Sequence, residues 1–359
     1  MRPKWIISGA KWVFPLTLSL SVMAQVKQPQ TGASATATGA PRSLARSQMA
    51  KISVPVSTVY FEGNTGRCDE SGNIYVRALP PGGVLGKDRI PLQKITPDGL
   101  LAETFQVPLD SFMDRGVFVA SNGDVYRMGW EQNGGGPFDV VKFRKGGSVH
   151  STVRPEIERG FWPQHLAVFP SGEFLLSGTV DDTMPKAAVF NASGKLIKTI
   201  YEPEDEEARN QTVAHNPNYM LNPSETRWGV YDELGDAAVG PDGNVYLLRS
   251  APPALVFVIS PKGEVIRKFR VDPGDASLIS SSIWIHSNRL AVAFKPRRGM
   301  PALALVKVVD LEGMPVASHA LEHWDQKELV GDMACYGDQG ITFILPAQTE
   351  MHLLKSSLK

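Results

Sequence analysis

Apolar and polar residues alternate in short runs along most of the chain, and the runs stop at glycine-containing turns, the pattern of half-buried β-strands. One unit recurs: an apolar strand, a turn with glycine, and a second strand with an aromatic or aliphatic residue three positions after that glycine. It runs through Arg67-Cys68-Asp69-Glu70-Ser71-Gly72-Asn73-Ile74-Tyr75, then from Val117 to Tyr126 around Gly123 and from Leu166 to Leu175 around Gly172. It returns from Ala237 to Tyr246 around Gly243, with weaker copies through Ser287-Asn288 and Gly340-Ile341-Thr342-Phe343. A second strand-turn-strand unit alternates with the first, turning at Gly99, Gly146, Gly194, Gly263 and Gly313.

Together the two units make four strands per period, A to D from the inside outward. The first-turn positions 72, 123, 172, 243, 288 and 340 are 51, 49, 71, 45 and 52 residues apart. Four short strands in periods of roughly 40 to 50 residues mark the blades of a propeller. The expected fold is therefore all-β, a six-bladed β-propeller over residues 51–359 with four antiparallel strands per blade and an insertion at about 202–235 in the one long period. The sixth period lacks a D strand. An open edge is a liability that natural sheets avoid, so the spare strand Ile52 to Phe61 is expected to complete the last blade and close the ring.

The run Asp242-Gly243-Asn244-Val245-Tyr246, with Val258-Ile259-Ser260-Pro261-Lys262-Gly263 after it, resembles NHL-type repeats and, more loosely, six-bladed propellers of the TolB-like kind. The fuller Gly-Asn/Asp-aliphatic-Tyr pattern stands in blades one, two and four, while Arg77 and Arg249 lie near where NHL blades often place an Asp. The resemblance implies a fold and leaves function open, because propellers host unrelated activities.

The first 24 residues read as a secretory signal peptide: a basic start, an apolar run from Trp12, and Val22-Met23-Ala24 at the cleavage site. Residues 25–50, rich in Gln, Ser, Thr, Ala and Gly, read as a disordered tether. The expected location is periplasmic or secreted, with no stable membrane insertion after cleavage. Balanced charge, 37 basic against 37 acidic side chains, speaks against a nucleic-acid partner.

The A-to-B and C-to-D connections are tight; the B-to-C and D-to-A connections are long, so one face of the disc is plain and the other decorated. Binding residues concentrate on loops held by a rigid scaffold. The decorated face is expected to gather Trp130, Trp162, Trp228, Tyr231 and Trp324 with Arg249, residue types favoured at binding hot spots. Each Trp can instead plug a gap between blades, and Trp284, aligned with Val168 and Val239 inside an A strand, reads as core. Counting back seven residues from each first turn gives Thr65, Gly116, His165, Asp236, Ser281 and Met333; counting back eight gives Asn64, Arg115, Gln164, Gly235, Ser280 and Asp332. These positions are expected to ring the channel mouth.

Two functions follow. The first is a non-catalytic binding or scaffolding protein, without cofactor, that recognises a peptide, glycan or protein. The alternative is a lactonase-like hydrolase or lyase at the channel mouth, with His165, Asp236 and Asp332 as catalytic candidates and Asn64, Asp236 and Asp332 as Ca²⁺ ligands. No Gly-x-Ser-x-Gly elbow or phosphate loop is present. The two cysteines, Cys68 and Cys335, fall in the A strands of the first and last blades, which become neighbours on closure. Strand alternation permits a disulfide between them or aims both sulfurs elsewhere, as two buried thiols.

Overall fold

The computed structural model describes residues 41–356 except 46–47, 57, 60–65, 85–89, 108–112, 132–135, 181–183, 202–233, 251–253, 297–302, 323–332, 339 and 347–349. Six antiparallel sheets of four strands stand in a ring, a six-bladed β-propeller. Blade three shows the plan: Phe161–Val168, Phe174–Val180, Met184–Phe190 and Leu196–Tyr201 pair in chain order from inside to outside. The other A strands are Gly66–Cys68, Met113–Val119, Leu234–Val239, Leu278–His286 and Met333–Gly337.

The turn residues explain the repeat. Gly72 and Gly243 sit at φ +75° and +78°, a left-handed conformation that a side chain disfavours. The ring of the tyrosine three positions later is buried in the sheet, and its hydroxyl donates back to a turn carboxylate: Tyr75 to Asp69 at 3.0 Å, Tyr246 to Asp242 at 3.1 Å. A buried phenol needs such a partner.

The N-terminal segment fastens three blades in succession. Ala50–Val54 pairs antiparallel with Met351–Ser356, Ile52 opposite Leu353, and so is the outer strand of blade six. It starts two residues earlier and stops sooner than the Ile52-to-Phe61 expectation. Thr58–Val59 then pairs with Leu79 and Ala78 of blade one. Upstream, Arg42–Ala45 lies parallel to Pro315–Glu322 as a fifth strand on blade five. That corrects the tether reading at its C-terminal end. Leu44 alone is buried there, so no periodicity shows in the sequence, and the strand comes from backbone pairing with an open edge.

At the closure between blades one and six, Cys68 and Cys335 form a disulfide, Cα atoms 5.3 Å apart. The inner strands meet closely because Gly66 has no side chain: a Cβ there would stand 2.8 Å from Ile344 Cδ1 and 2.9 Å from Ala334 Cβ. The insertion at 202–233 lies outside the described residues.

Candidate functional site

A register shift interrupts the A strand of five blades: Asp114/Gly116, Pro163/His165, Leu234/Ala237, Ser280/Ser282 and Met333/Cys335. A bulge inserts one extra residue and re-aims its neighbours. It takes successive residues such as Gln164 and His165 out of simple alternation, which is why counting back seven and counting back eight both reach the same level of the channel.

At that level Asp236 of blade four is 1% exposed and meets Arg67 of blade one, 7% exposed. Blades one and four stand opposite each other in a ring of six, so this ion pair crosses the channel. Arg67 Nη1 donates to Asp236 Oδ2 at 2.9 Å and Nη2 donates to Oδ1. The backbone N–H groups of Ala237 and Ile283 donate to Oδ1 and Oδ2 at 2.7 and 3.1 Å. A carboxylate has about four lone-pair sites, and these four donors fill them. Trp284 of blade five lies beside the pair, with the Arg67 guanidinium carbon 5.9 Å from its ring centre.

His165 of blade three stands close enough to feel both charges. Desolvation by the surrounding strands pulls its pKa down to about 4; Asp236 opposes this and Arg67 adds to it. The imidazole is therefore neutral at neutral pH and a weak base there, whereas a general base works best with a pKa near the working pH. Asp236 does not fit a Ca²⁺ ligand either, because its oxygens are already engaged. Among the described residues no group of three His, Cys, Asp or Glu side chains is placed to hold a metal ion.

On the plain side of this plug the channel widens into a cup of about 770 Å³. Its wall is a ring of the residues four before each first-turn position: Cys68, Val119, Val168, Val239, Trp284 and Tyr336. Its rim comprises A-to-B turn residues from all six blades, and Arg67 lines it at depth. Trp284 is buried, as expected for core, but it also belongs to this wall. Arg67 escaped the sequence reading. A signal existed, since its equivalents in the other blades, such as Phe118, Ala167, Ala238 and Ile283, are all apolar.

The decorated-face candidates divide. Trp130 ends the strand Val125–Trp130 and Trp162 lies in the strand Phe161–Val168; both are half-buried and their rings pack together at 5.2 Å, with Phe138 against Trp130 at 5.1 Å. They join blades two and three. Arg249 is 4% exposed, inside the sheet of blade four, so the expectation of a solvent-facing arginine is corrected. Gln164 is exposed at its bulge, and Arg115 occupies the bulge of blade two. Asn64, Trp228, Tyr231, Trp324 and Asp332 lie outside the described residues.

No protein-family model matches the chain, and no curated protein does. Among solved structures it is similar to a luciferin-regenerating enzyme at 9% identity and TM-score 0.50, covering 86% of this chain and 95% of that one. It is also similar to virginiamycin B lyase from Staphylococcus aureus at 9% identity and TM-score 0.47, covering 86% and 99%. At such identities the likeness concerns the six-bladed fold and nothing finer.

Proposed function

We propose that this chain is an exported, non-catalytic binding propeller that recognises a peptide, glycan or protein partner through the face bearing its long connections. The observation that carries the reading is the Arg67–Asp236 ion pair across the channel. It engages the carboxylate that a channel-mouth catalyst or Ca²⁺ site would need, and breaking a buried pair is strongly destabilising. The half-buried Trp130–Trp162 pair supports the choice of face, because packed aromatics at the strand ends near the long connections suit recognition. The tyrosine-to-turn closures in blades one and four support an NHL-type reading of the repeats.

The test is calorimetric titration of the purified protein with Ca²⁺, paired with melting curves in the presence and absence of a chelator. The expected result is no stoichiometric heat and no change in melting temperature. One Ca²⁺ bound per chain, with melting lowered by chelation, would overturn the reading in favour of a metal-dependent hydrolase or lyase.

A further inference from the structure

We infer that the cup on the plain face is a second binding site, built for a basic peptide segment: a lysine or arginine flanked by aliphatic side chains. Its volume, about 770 Å³, lies inside the roughly 300–1,000 Å³ range of small-ligand pockets. It opens on the side of the tight A-to-B turns, and the Arg67–Asp236 pair stands at its deep end, toward the long-connection face.

Two features set the ligand class. Val119, Val168 and Val239 give one side of the wall an aliphatic surface, and Trp284 and Tyr336 give the other an aromatic one. Such a belt favours apolar side chains over a bare sugar or ion. Above the belt, the described lining carries the carboxylates of Asp69, Glu70, Asp124 and Asp338; Asp124 meets the ammonium of Lys142, Asp338 meets the His286 imidazole at 3.0 Å, and Arg67 is neutralised by Asp236, so carboxylates remain in excess. Glu70 and Asp338 are exposed, so the mouth of the cup presents an acidic field that draws cations.

The probe is the blocked tripeptide Ac-Leu-Lys-Leu-NH₂, titrated into protein carrying ¹⁵N-labelled tryptophan while the indole signals are followed. Trp284→Phe identifies the reporting signal. The Trp284 signal is expected to shift saturably with the lysine peptide, and at least about tenfold more weakly with Ac-Leu-Glu-Leu-NH₂. Affinity should fall several-fold on raising salt from about 0.05 to 0.5 M, as screening predicts. Ala120→Arg, on a half-buried rim position, should abolish the shift by adding bulk and positive charge. Should that variant fail to fold, the exposed Glu70→Gln serves, with roughly two- to threefold weaker binding. A Trp284 signal unmoved by any peptide at millimolar concentration, or moved equally by both charges, overturns the site. Shifts confined to Trp130 and Trp162 also overturn it and leave the long-connection face standing as the binding surface.

Discussion

Arg67 and Asp236 bring opposite charges from facing blades into a buried contact, where each charge compensates the other. Asp236→Ala, or Arg67→Ala, is expected to lower stability by about 3–5 kcal/mol, because each leaves an uncompensated buried charge. The paired Arg67→Met and Asp236→Leu exchange should recover most of that loss, since well-packed apolar residues often replace a buried pair without penalty. Urea midpoints of the three variants decide this; a double variant as unstable as the singles would show that the pair does more than neutralise charge. His165 gives a pH signature. Its imidazole titrates near 6.5 when unfolded and near 4 in the fold, so between those values the unfolded chain binds more protons. Stability is therefore fully retained above about pH 6.5 and falls by roughly 1–3 kcal/mol as pH drops through 4. His165→Gln should flatten that limb of the pH–melting profile; an unchanged slope would place the titration elsewhere. Both His165 and Asp236 were legible from the repeat count, because a fixed offset from a turn survives blade-to-blade variation. Arg67 was not reached by that count, since it sits two positions closer to its turn and its long side chain spans the difference.

At the level of elements, the closing junction is made by three devices: the strand Ala50–Val54 on blade six, Thr58–Val59 on blade one, and the disulfide between their inner strands. The cysteines are 267 residues apart, so the bond restricts a long loop in the unfolded chain. Serine at both positions is expected to cost about 2–4 kcal/mol, read as a lowered denaturation midpoint that matches the wild-type protein in reductant. A midpoint insensitive to reductant would mean that the thiols are free in solution. The strand Arg42–Ala45 differs in weight, contributing one buried side chain, Leu44, where the next strand brings Val54 with Val56 after it. Removing residues through Ala45 should therefore leave amide protection of Met351–Ser356 intact, whereas removal through Val54 should lose it at the alternate amides that face Ala50–Val54 and keep it at those facing Gly340–Pro346. The periodicity predicted the second strand because Ile52 and Val54 alternate. It missed the first because a four-residue parallel strand on an existing edge needs backbone pairing more than an apolar pattern. Bulges were equally invisible, since an extra unpaired residue leaves no mark on the alternation of its partners.

Among the described residues of the ring, the disulfide and the strand-swapped fastenings gather at the junctions of blades five, six and one, while the chain passes from blade three to blade four through the segment 202–233. That arrangement makes the chain divisible. A protease site placed between residues 204 and 230 would split it into a piece ending after Leu196–Tyr201 and a piece beginning before Leu234–Val239, each strand remaining in its own complete blade. The pieces would stay joined by the Cys68–Cys335 bond, by Ala50–Val54 on Met351–Ser356, by Arg42–Ala45 on Pro315–Glu322, and by Arg67 on Asp236. The cut opens a connection between two blades, and the closure of such a connection contributes only a slowly varying entropy. The cleaved protein is thus expected to run as one band on a denaturing gel without reductant and as two bands with it. In native gel filtration it should elute as a single ring-sized species under both conditions, with one cooperative melting transition. Two bands without reductant would show that the disulfide had not formed. Dissociation of the reduced pieces would show that the strand swaps and the trans-channel ion pair are too weak to hold the ring once the chain is cut.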